Sequence, residues 1–418
     1  MKIGKNRLIL LSILLAGFAL RILVSPYYNH TSDIGLWIYW ASEIDRIGFR
    51  NFFDIISWTD YLPFYFYILF IIQKLIQVFT ITDPLIFKMP AILADLGTAY
   101  LIYLLTKKWQ LNYRFVLPII YLFNPAVFGN SAMWGQVDGL GAFLVTLCLY
   151  LFLRQKLIMM GAIMSMAILF KPLYLLLLPI FLVAQLKYNH PNIGLRLTFL
   201  YKIFEFKNFR KLLLIIFSTA TSAFILVIPF AKDIFSVPSL ILERYSSSLG
   251  QYQYASVNAF NFWAMMGKNF QSDQETFLNI NYHDWGLVIF AAIFGSTLIL
   301  FLFRKIVNFF EYHHFLTLGL AISFFSIFIF ATRVHERHLL TVFPFLTLLC
   351  LQNRVFTSIY IFTSALYVTN LFFGILYLYN GNFPFPNNEV MLYSGMLFLT
   401  CLVLIFNSFL NLKNEQTT

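Results

Sequence analysis

The sequence predicts an all-α polytopic membrane protein with about twelve transmembrane helices, and three observations carry that expectation. The 418 residues are 60% hydrophobic, 19% aromatic and only 11% charged, with a mean hydropathy of +0.76, far from the balance of soluble domains. Stretches such as 7–24, 212–230 and 355–379 are each long enough to cross a hydrocarbon core of roughly 30 Å as a helix. The net charge of +11 is concentrated where loops would face the cytoplasm, so positive-inside orientation explains it and a nucleic-acid partner is not needed.

Taken in chain order, Lys2, Lys5 and Arg7 precede the first apolar run. Pro26 and the bulky residues after it make a poor cleavage site, which favours a retained anchor over a removed signal. Residues 25–87 are expected to form the first extracytoplasmic loop, with juxtamembrane or re-entrant helices. Within it Asn29-His30-Thr31 fits an N-glycosylation pattern, but the pattern is short and arises often by chance. After Ser32-Asp33, one helical face carries Ile34, Trp37, Ile38, Ala41, Ile44 and Gly48, and the other Ser42, Glu43, Asp45 and Arg46, the spacing of an amphipathic helix in the headgroup region. The loop continues through Thr59-Asp60-Tyr61-Leu62-Pro63, with Pro63 suited to the first turn of an apolar helix.

The charge pattern then decides topology. If 63–79 and 88–105 both crossed the membrane, Lys107, Lys108 and Arg114 would lie outside, against the positive-inside bias. With 63–79 as a juxtamembrane or re-entrant helix, those residues return to the cytoplasm together with Arg154, Lys156, the basic stretch 187–211, Arg304, Lys305, Arg354 and Lys413. Both termini are then cytoplasmic. Asp33, the 130–139 turn, Lys171, the long loop 231–284 and the 333–338 cluster all face outward. Residues 187–211 form the only substantial cytoplasmic loop expected, suited to orientation and to anionic headgroups. No repeat, low-complexity tract or soluble domain interrupts the chain, so 1–418 reads as a single transmembrane domain. Cys148, Cys350 and Cys401 lie within apolar runs, too few for a disulfide framework or a zinc site.

The chemistry gathers on the outer side. Arg333, His335, Glu336, Arg337 and His338 stand between two long apolar runs. Ionisable groups at the edge of hydrocarbon are costly unless paired and therefore mark a site, and Arg with His suits a phosphate. Asp33 and Asp60 could each be a plain helix cap; beside that cluster they could instead complete an acid/base and phosphate site. The turn at 124–139 is polar for a connection between spans. It is either a hairpin shaped by Gly and Asn or the wall of a sugar site, with Trp134 for stacking and Gln136 and Asp138 for hydroxyls. Lys171 could pair with an anion at the membrane boundary or simply snorkel. Asp95, deep in a span, is expected to hold helices together by hydrogen bonds. An interfacial aromatic belt accounts for much of the segment containing Arg244, Tyr245, Tyr252 and Tyr254, but Asn258 and Asn261 need another reason.

In this order the pieces resemble the GT-C class of membrane glycosyltransferases. The nearest likeness is to bacterial and archaeal relatives of the GPI-anchor mannosyltransferases, with a weaker similarity to dolichyl-phosphate-glucose glucosyltransferases. The likeness spans most of the chain and rests on Ser32-Asp33 with Trp37 and Trp40, Asp60-Tyr61-Leu62-Pro63, Asn124-Pro125, Trp134-Gly135-Gln136-Val137-Asp138, Lys171-Pro172, Asn258-Ala259-Phe260-Asn261-Phe262-Trp263 and Arg333-Val334-His335-Glu336-Arg337. It implies a GT-C fold, Asp33 as catalytic base, and Lys171, Arg333, His335 and Arg337 as contacts to the donor phosphate. Asp60, Trp134, Gln136, Asp138, Arg244, Asn258 and Asn261 are the candidates for holding sugar or acceptor. Two departures stand out: Leu62-Pro63 where many relatives have two prolines, and His338 where an aromatic is common.

The expected activity is an inverting transfer of a hexose, mannose favoured, from a polyprenyl-phosphate donor to an extracytoplasmic lipid, glycan or protein acceptor, in a multi-pass protein of the cell membrane surrounded by its lipids. No G-x-x-x-x-G-K loop and no Asp-x-Asp pair of the kind expected for a metal-bound nucleotide sugar occurs, which agrees with a lipid-linked donor; no cofactor is demanded, and a divalent metal is left open. Two rivals belong beside this expectation. A flippase or transporter for lipid-linked sugars would show half-to-half repetition and charge near the midplane, and a lipid-linked glycan polymerase or ligase would accept a larger donor.

Overall fold

The computed structural model of the protein describes residues 4–27, 31–56, 58–108, 113–190 and 205–410. The described chain is all-α and 79% helical. In order, the helices are α1 (Lys5–Val24), α2 (Thr31–Ile47), α3 (Phe49–Ile55), α4 (Pro63–Phe79), α5 (Met89–Lys108), α6 (Val116–Leu122), α7 (Pro125–Phe128), α8 (Asp138–Leu153), α9 (Leu157–Ile168), α10 (Leu177–Asn189), α11 (Phe206–Val227), α12 (Val237–Gly250), α13 (Phe262–Met265), α14 (Tyr282–Phe303), α15 (Phe309–Phe330), α16 (Phe343–Leu349), α17 (Arg354–Asn380) and α18 (Asn387–Leu410).

Among the described residues eight helical segments are long and apolar enough to cross a membrane. They are α1, α5, α11, α14, α15, α17, α18 and the run Pro172–Asn189, in which a 3-10 turn leads into α10. A ninth arises if Val116–Leu122 and Pro125–Trp134, bent by 42° from each other, count as one span. The expected twelve exceeds this count for a physical reason. Helices α8, α9 and α16, with 16, 12 and 7 residues, measure only about 24, 18 and 10 Å at 1.5 Å per residue, and sequence windows do not see such breaks.

The bend is built by identifiable residues. Asn124 caps α7, its side-chain oxygen accepting from the Ala126 N–H at 2.9 Å, and Pro125 occupies the first helical position. The Asn124 amide also donates to Tyr360 Oη at 2.6 Å and Ser364 Oγ at 2.8 Å, tying the break to α17. A turn of π-helix over Gly129–Trp134 follows. It ends at Gly135, whose φ of +90° suits glycine and whose missing Cβ leaves room for Lys88, 3.0 Å from where that Cβ would lie.

Buried charge staples the first helix to this bend. Arg21 Nε donates to Asp95 Oδ2 at 2.9 Å, Ser131 Oγ donates to the same oxygen at 2.5 Å, and Arg21 Nη1 reaches the carbonyls of Gly17 and Leu122, both at 3.1 Å. Asp95 therefore joins α1, α5 and the bent pair, the helix-holding role expected of it. Lys88 Nζ donates to the carbonyls of Ser25, Ala132 and Met133 at 2.8 to 3.0 Å. Ser131→Ala removes a hydrogen bond to a buried charge and is expected to destabilise the protein by about 1.5–3 kcal/mol. Thermal unfolding in detergent checks this, and an unchanged midpoint would show that Ser131 adds nothing to the network.

Helices α2 and α4 form a packed layer. Helix α2 buries Ile34, Trp37, Trp40, Ala41 and Ile44, whereas Ile38 is 45% exposed. The expected apolar face is thus rotated: Trp40, not Ile38, completes the i, i+3, i+7 stripe. Trp37 meets Tyr65 and Trp40 meets Phe66 of α4, with ring centroids 6.0 and 5.8 Å apart. Asp45, expected on the solvated face, is instead paired with Lys74 at 2.5 Å and accepts from Gln77 at 2.6 Å, fastening α2 to α4.

Two capping expectations fail. Helix α2 begins at Thr31, so Asp33 lies inside its first turn. Helix α4 is preceded by Leu62 with Pro63 at its start, so Asp60 caps nothing there.

Lys187, expected at the start of a cytoplasmic loop, is buried in the last turn of α10 and donates to the carbonyls of Leu302 and Arg304, which close α14. Residues 191–204 of that loop, the Asn29-His30 pair, Lys2 and Lys413 lie outside the described residues.

The long segment 231–284 is also ordered by backbone pairing. It holds α12, the single turn α13 and a two-stranded hairpin, Thr276–Phe277 against Ile280–Asn281. Its middle is stitched to the Arg/His cluster: Val257 N donates to Val334 O at 3.1 Å, and Arg333 N to Tyr254 O at 2.9 Å.

Candidate functional site

A cavity of about 800 Å³ lies where the 3-10 turn before α10 meets α12, α14, α15 and the 331–338 segment. Its lining combines a charged cluster with polar side chains, among them Ser248, Gln251 and His283, and extensive hydrocarbon. The apolar walls come from Leu175, Leu176 and Leu178, from Leu287 and Phe290 of α14, and from Ile327 and Phe328 of α15. Leu175 and Leu287 are 50% and 47% exposed, so the cavity reaches the outer surface of the helix bundle between α10 and α14.

The polar end holds Asp60, Lys171, Arg333, His335, Arg337 and His338, brought from three separated stretches of chain. Lys171 follows α9 in an extended conformation before Pro172 starts the next helical turn. Its ammonium pairs with Asp138 Oδ1 at 2.6 Å, while Arg337 Nε stands 3.9 Å from Asp138 Oδ2, and all three side chains are buried. Asp138 thus lies between the two cations, at the first turn of α8, immediately after the bent connection. Glu336 adds a second counter-ion, 3.6 Å from Arg337 Nη1. Burial pushes its carboxyl up to about 7 against the opposing pull of Arg337.

Several donors remain uncommitted. Arg337 Nε and His335 Nε2 are buried and make no hydrogen bond, which is costly in a resting protein unless a ligand completes them. Asp60 Oδ1 is likewise unpartnered. Burial raises the Asp60 carboxyl, with Arg337 and Lys171 pulling the other way. Burial, then Arg337 and Lys171, hold the His335 ring well below its ordinary value, so it is neutral near pH 7. Tyr252 packs edge-on to His335 with centroids 4.5 Å apart.

Arg333 has a different setting. Its backbone is left-handed, φ +61°, and its side chain is held at the rim by Asp273 at 2.6 Å and by the Leu249 carbonyl at 2.6 Å. Asp33 is not among the cavity's lining residues. Its Oδ2 accepts from Gln136 Nε2 at 2.6 Å, and the Gln136 backbone is itself fixed by an N–H bond to Asn130 O at 2.9 Å. Asp33 nonetheless contributes to the field at Asp60, Glu336 and Arg337, which locates it beside the polar end.

The remaining sequence candidates are placed elsewhere. Trp134 is 1% exposed and packs near Gly374 and Glu336, so it has no open face on which a sugar could stack. Asp138 is occupied as counter-ion to Lys171 and Arg337. Arg244 is buried against Phe53, 5.0 Å from the ring centroid, and paired with Glu243, outside the cavity. Asn261 caps α13 by accepting from Ala264 N at 3.0 Å. Asn258 has φ +57°, and its carbonyl accepts from Asn370 Nδ2 at 2.6 Å. The two asparagines therefore have structural reasons for standing in an apolar context. Sequence reasoning missed Gln251, Tyr252 and His283 as cavity residues. His338 was visible within the cluster, whereas nothing in the spacing of the others separates them from an aromatic belt. No group of three or more His, Cys, Asp or Glu side chains suited to a metal occurs among the described residues.

No protein-family model matches the chain, and no curated protein matches it.

Proposed function

We propose that this chain is an inverting membrane glycosyltransferase that takes a hexose from a polyprenyl-phosphate donor on the extracytoplasmic face and passes it to a lipid, glycan or protein acceptor. The observation that carries the proposal is the amphiphilic cavity. Its charged end is lined by Arg337 and His335, each with a buried ring or guanidinium nitrogen that makes no hydrogen bond, beside Lys171, and its hydrocarbon walls reach the bundle surface between α10 and α14. Such a shape suits an anionic headgroup on a long apolar tail.

The charges suit the reaction as well. When the bond from the sugar's anomeric carbon to the phosphate oxygen breaks, negative charge builds on the departing phosphate. Lys171 and Arg337, already fixed by Asp138, need no reorganisation to stabilise it. One such charge at about 4 Å contributes up to roughly 4 kcal/mol at an effective dielectric near 20. The attacking acceptor hydroxyl gives its proton to Asp33, which Gln136 holds in orientation, and direct attack inverts the anomeric centre.

The topology proposed with this function has twelve crossings. To the eight long segments and the bent pair it adds α8, α9 and α16, and it leaves α4 as a juxtamembrane helix packed on α2. Every connection then alternates sides, with both termini cytoplasmic and the cavity's charged end outside.

Transfer of radiolabelled sugar from a panel of polyprenyl-phosphate hexoses, by purified protein in lipid with crude membrane acceptors, tests the proposal. Transfer from one donor would name the sugar. Transfer only from a lipid-linked oligosaccharide would replace the proposal with a polymerase, and folded protein inactive with every donor would leave a flippase as the better reading.

A further inference from the structure

The polar end of the cavity contains an imidazole to which the proposed reaction gives no task. His338 lies three residues beyond His335 on the 3-10 turn Glu336–Val342, for which His335 is the N-cap. Residues i and i+3 eclipse on a 3-10 helix, and both rings line the cavity with centroids 5.5 Å apart. Their hydrogen bonds define which nitrogen carries the proton. His338 Nδ1 faces the backbone N–H of His335 at 3.4 Å, and His335 Nδ1 faces Arg337 Nη1 at 3.5 Å. An amide N–H and a guanidinium can only donate, so each Nδ1 is an acceptor and each proton sits on Nε2. Burial and the neighbouring Lys171, His335 and Arg337 keep the His338 ring neutral near pH 7, which preserves that tautomer.

We propose that His338 is a further phosphate-binding residue, its Nε2–H donating to the same lipid-linked phosphate that His335 and Arg337 face. The inference rests on the donor assigned above and adds a residue to its binding site. Two neutral donors beside two paired cations supply directional N–H groups without adding charge. That arrangement fits an anion whose charge must be held without over-binding the product phosphate.

The test is binding of polyprenyl phosphate, in lipid nanodiscs, to the wild type and to three variants. H338F keeps a ring of similar size and removes the donor, and H338Q restores an N–H near the Nε2 position; R337Q serves as reference. A hydrogen bond to a charged group predicts affinity weaker by about tenfold or more in H338F, with most of it recovered in H338Q. The ¹⁵N resonance of His338 Nε2, assigned by its loss in H338F, is expected to shift when polyprenyl phosphate is added, a change that a merely structural role would not produce. Wild-type affinity in a folded H338F protein, with binding still lost in R337Q, would overturn this inference and leave the proposed function standing. Absence of polyprenyl phosphate binding in the wild type would overturn both.

Discussion

Replacing Asp33 by Asn is expected to lower sugar transfer by roughly 10²- to 10⁴-fold, the span that general-base assistance supplies, with expression and thermal unfolding close to wild type. The substitution keeps the shape of the side chain and leaves an oxygen that can still accept from Gln136 Nε2, so the link between α2 and the bent connection survives. What is lost is the capacity to take a proton. Asp33 sits in the first turn of α2, where loss of its charge costs only the roughly 0.3–1 kcal/mol that a carboxylate contributes at a helix N-terminus. The donor-binding residues lie on other elements, so the loss should appear in kcat with the lipid-donor KM little changed. Gln136→Ala is the companion variant: it frees the carboxylate without removing it, and a smaller loss of rate is expected. Near-wild-type turnover in Asp33→Asn would remove Asp33 from the chemistry and direct attention to Asp60, whose carboxyl lines the cavity.

Much of this architecture was legible in the sequence, and the failures have physical causes. The cationic cluster, Lys171 and Asp60 were singled out because charge at the edge of hydrocarbon is expensive, and these residues do converge on one cavity. Trp134, Asn258 and Asn261 were drawn toward a sugar site by residue type alone. Sequence spacing cannot show that an indole faces the core or that an amide is spent on a helix end. Asp138 illustrates the limit best. Its carboxylate is as suited to sugar hydroxyls as to cations, and only the fold, which sets α8 against Lys171 and Arg337, decides between them. The apolar walls were invisible for the opposite reason: Leu287 and Phe290 belong to a helix that reads like any other span. Short helices such as α9, whose Gly161 lets Ser218 of α11 approach to within 1.9 Å of where a Cβ would stand, were likewise hidden inside continuous apolar runs.

Arg337→Gln is expected to reduce kcat/KM for the lipid donor by about 10³-fold, the equivalent of the roughly 4 kcal/mol that one charge at about 4 Å can contribute. The environment of Arg337 makes it the more decisive of the two arginines. It is buried and lines the cavity, its Nε makes no hydrogen bond, and Asp138 and Glu336, 3.9 and 3.6 Å away, orient it without saturating its donors. Arg333 has already spent its Nε on Asp273 and its Nη1 on the Leu249 carbonyl, so a phosphate gains less from it. Arg333→Gln should therefore cost less catalysis and should weaken the attachment of the 231–284 segment. Removing the Arg337 charge also leaves Glu336 with less reason to ionise. Its carboxyl, pushed up to about 7 by burial even with Arg337 present, is expected to stay protonated at neutral pH in the variant, which limits the damage to folding. Arg337→Lys separates charge from geometry, because an ammonium keeps the attraction but has no planar fork. Intermediate donor affinity in Arg337→Lys, between wild type and Arg337→Gln, is the expected order. Steady-state transfer at varied lipid-donor concentration reads all three, and an unchanged donor dependence in Arg337→Gln would take Arg337 out of the phosphate site.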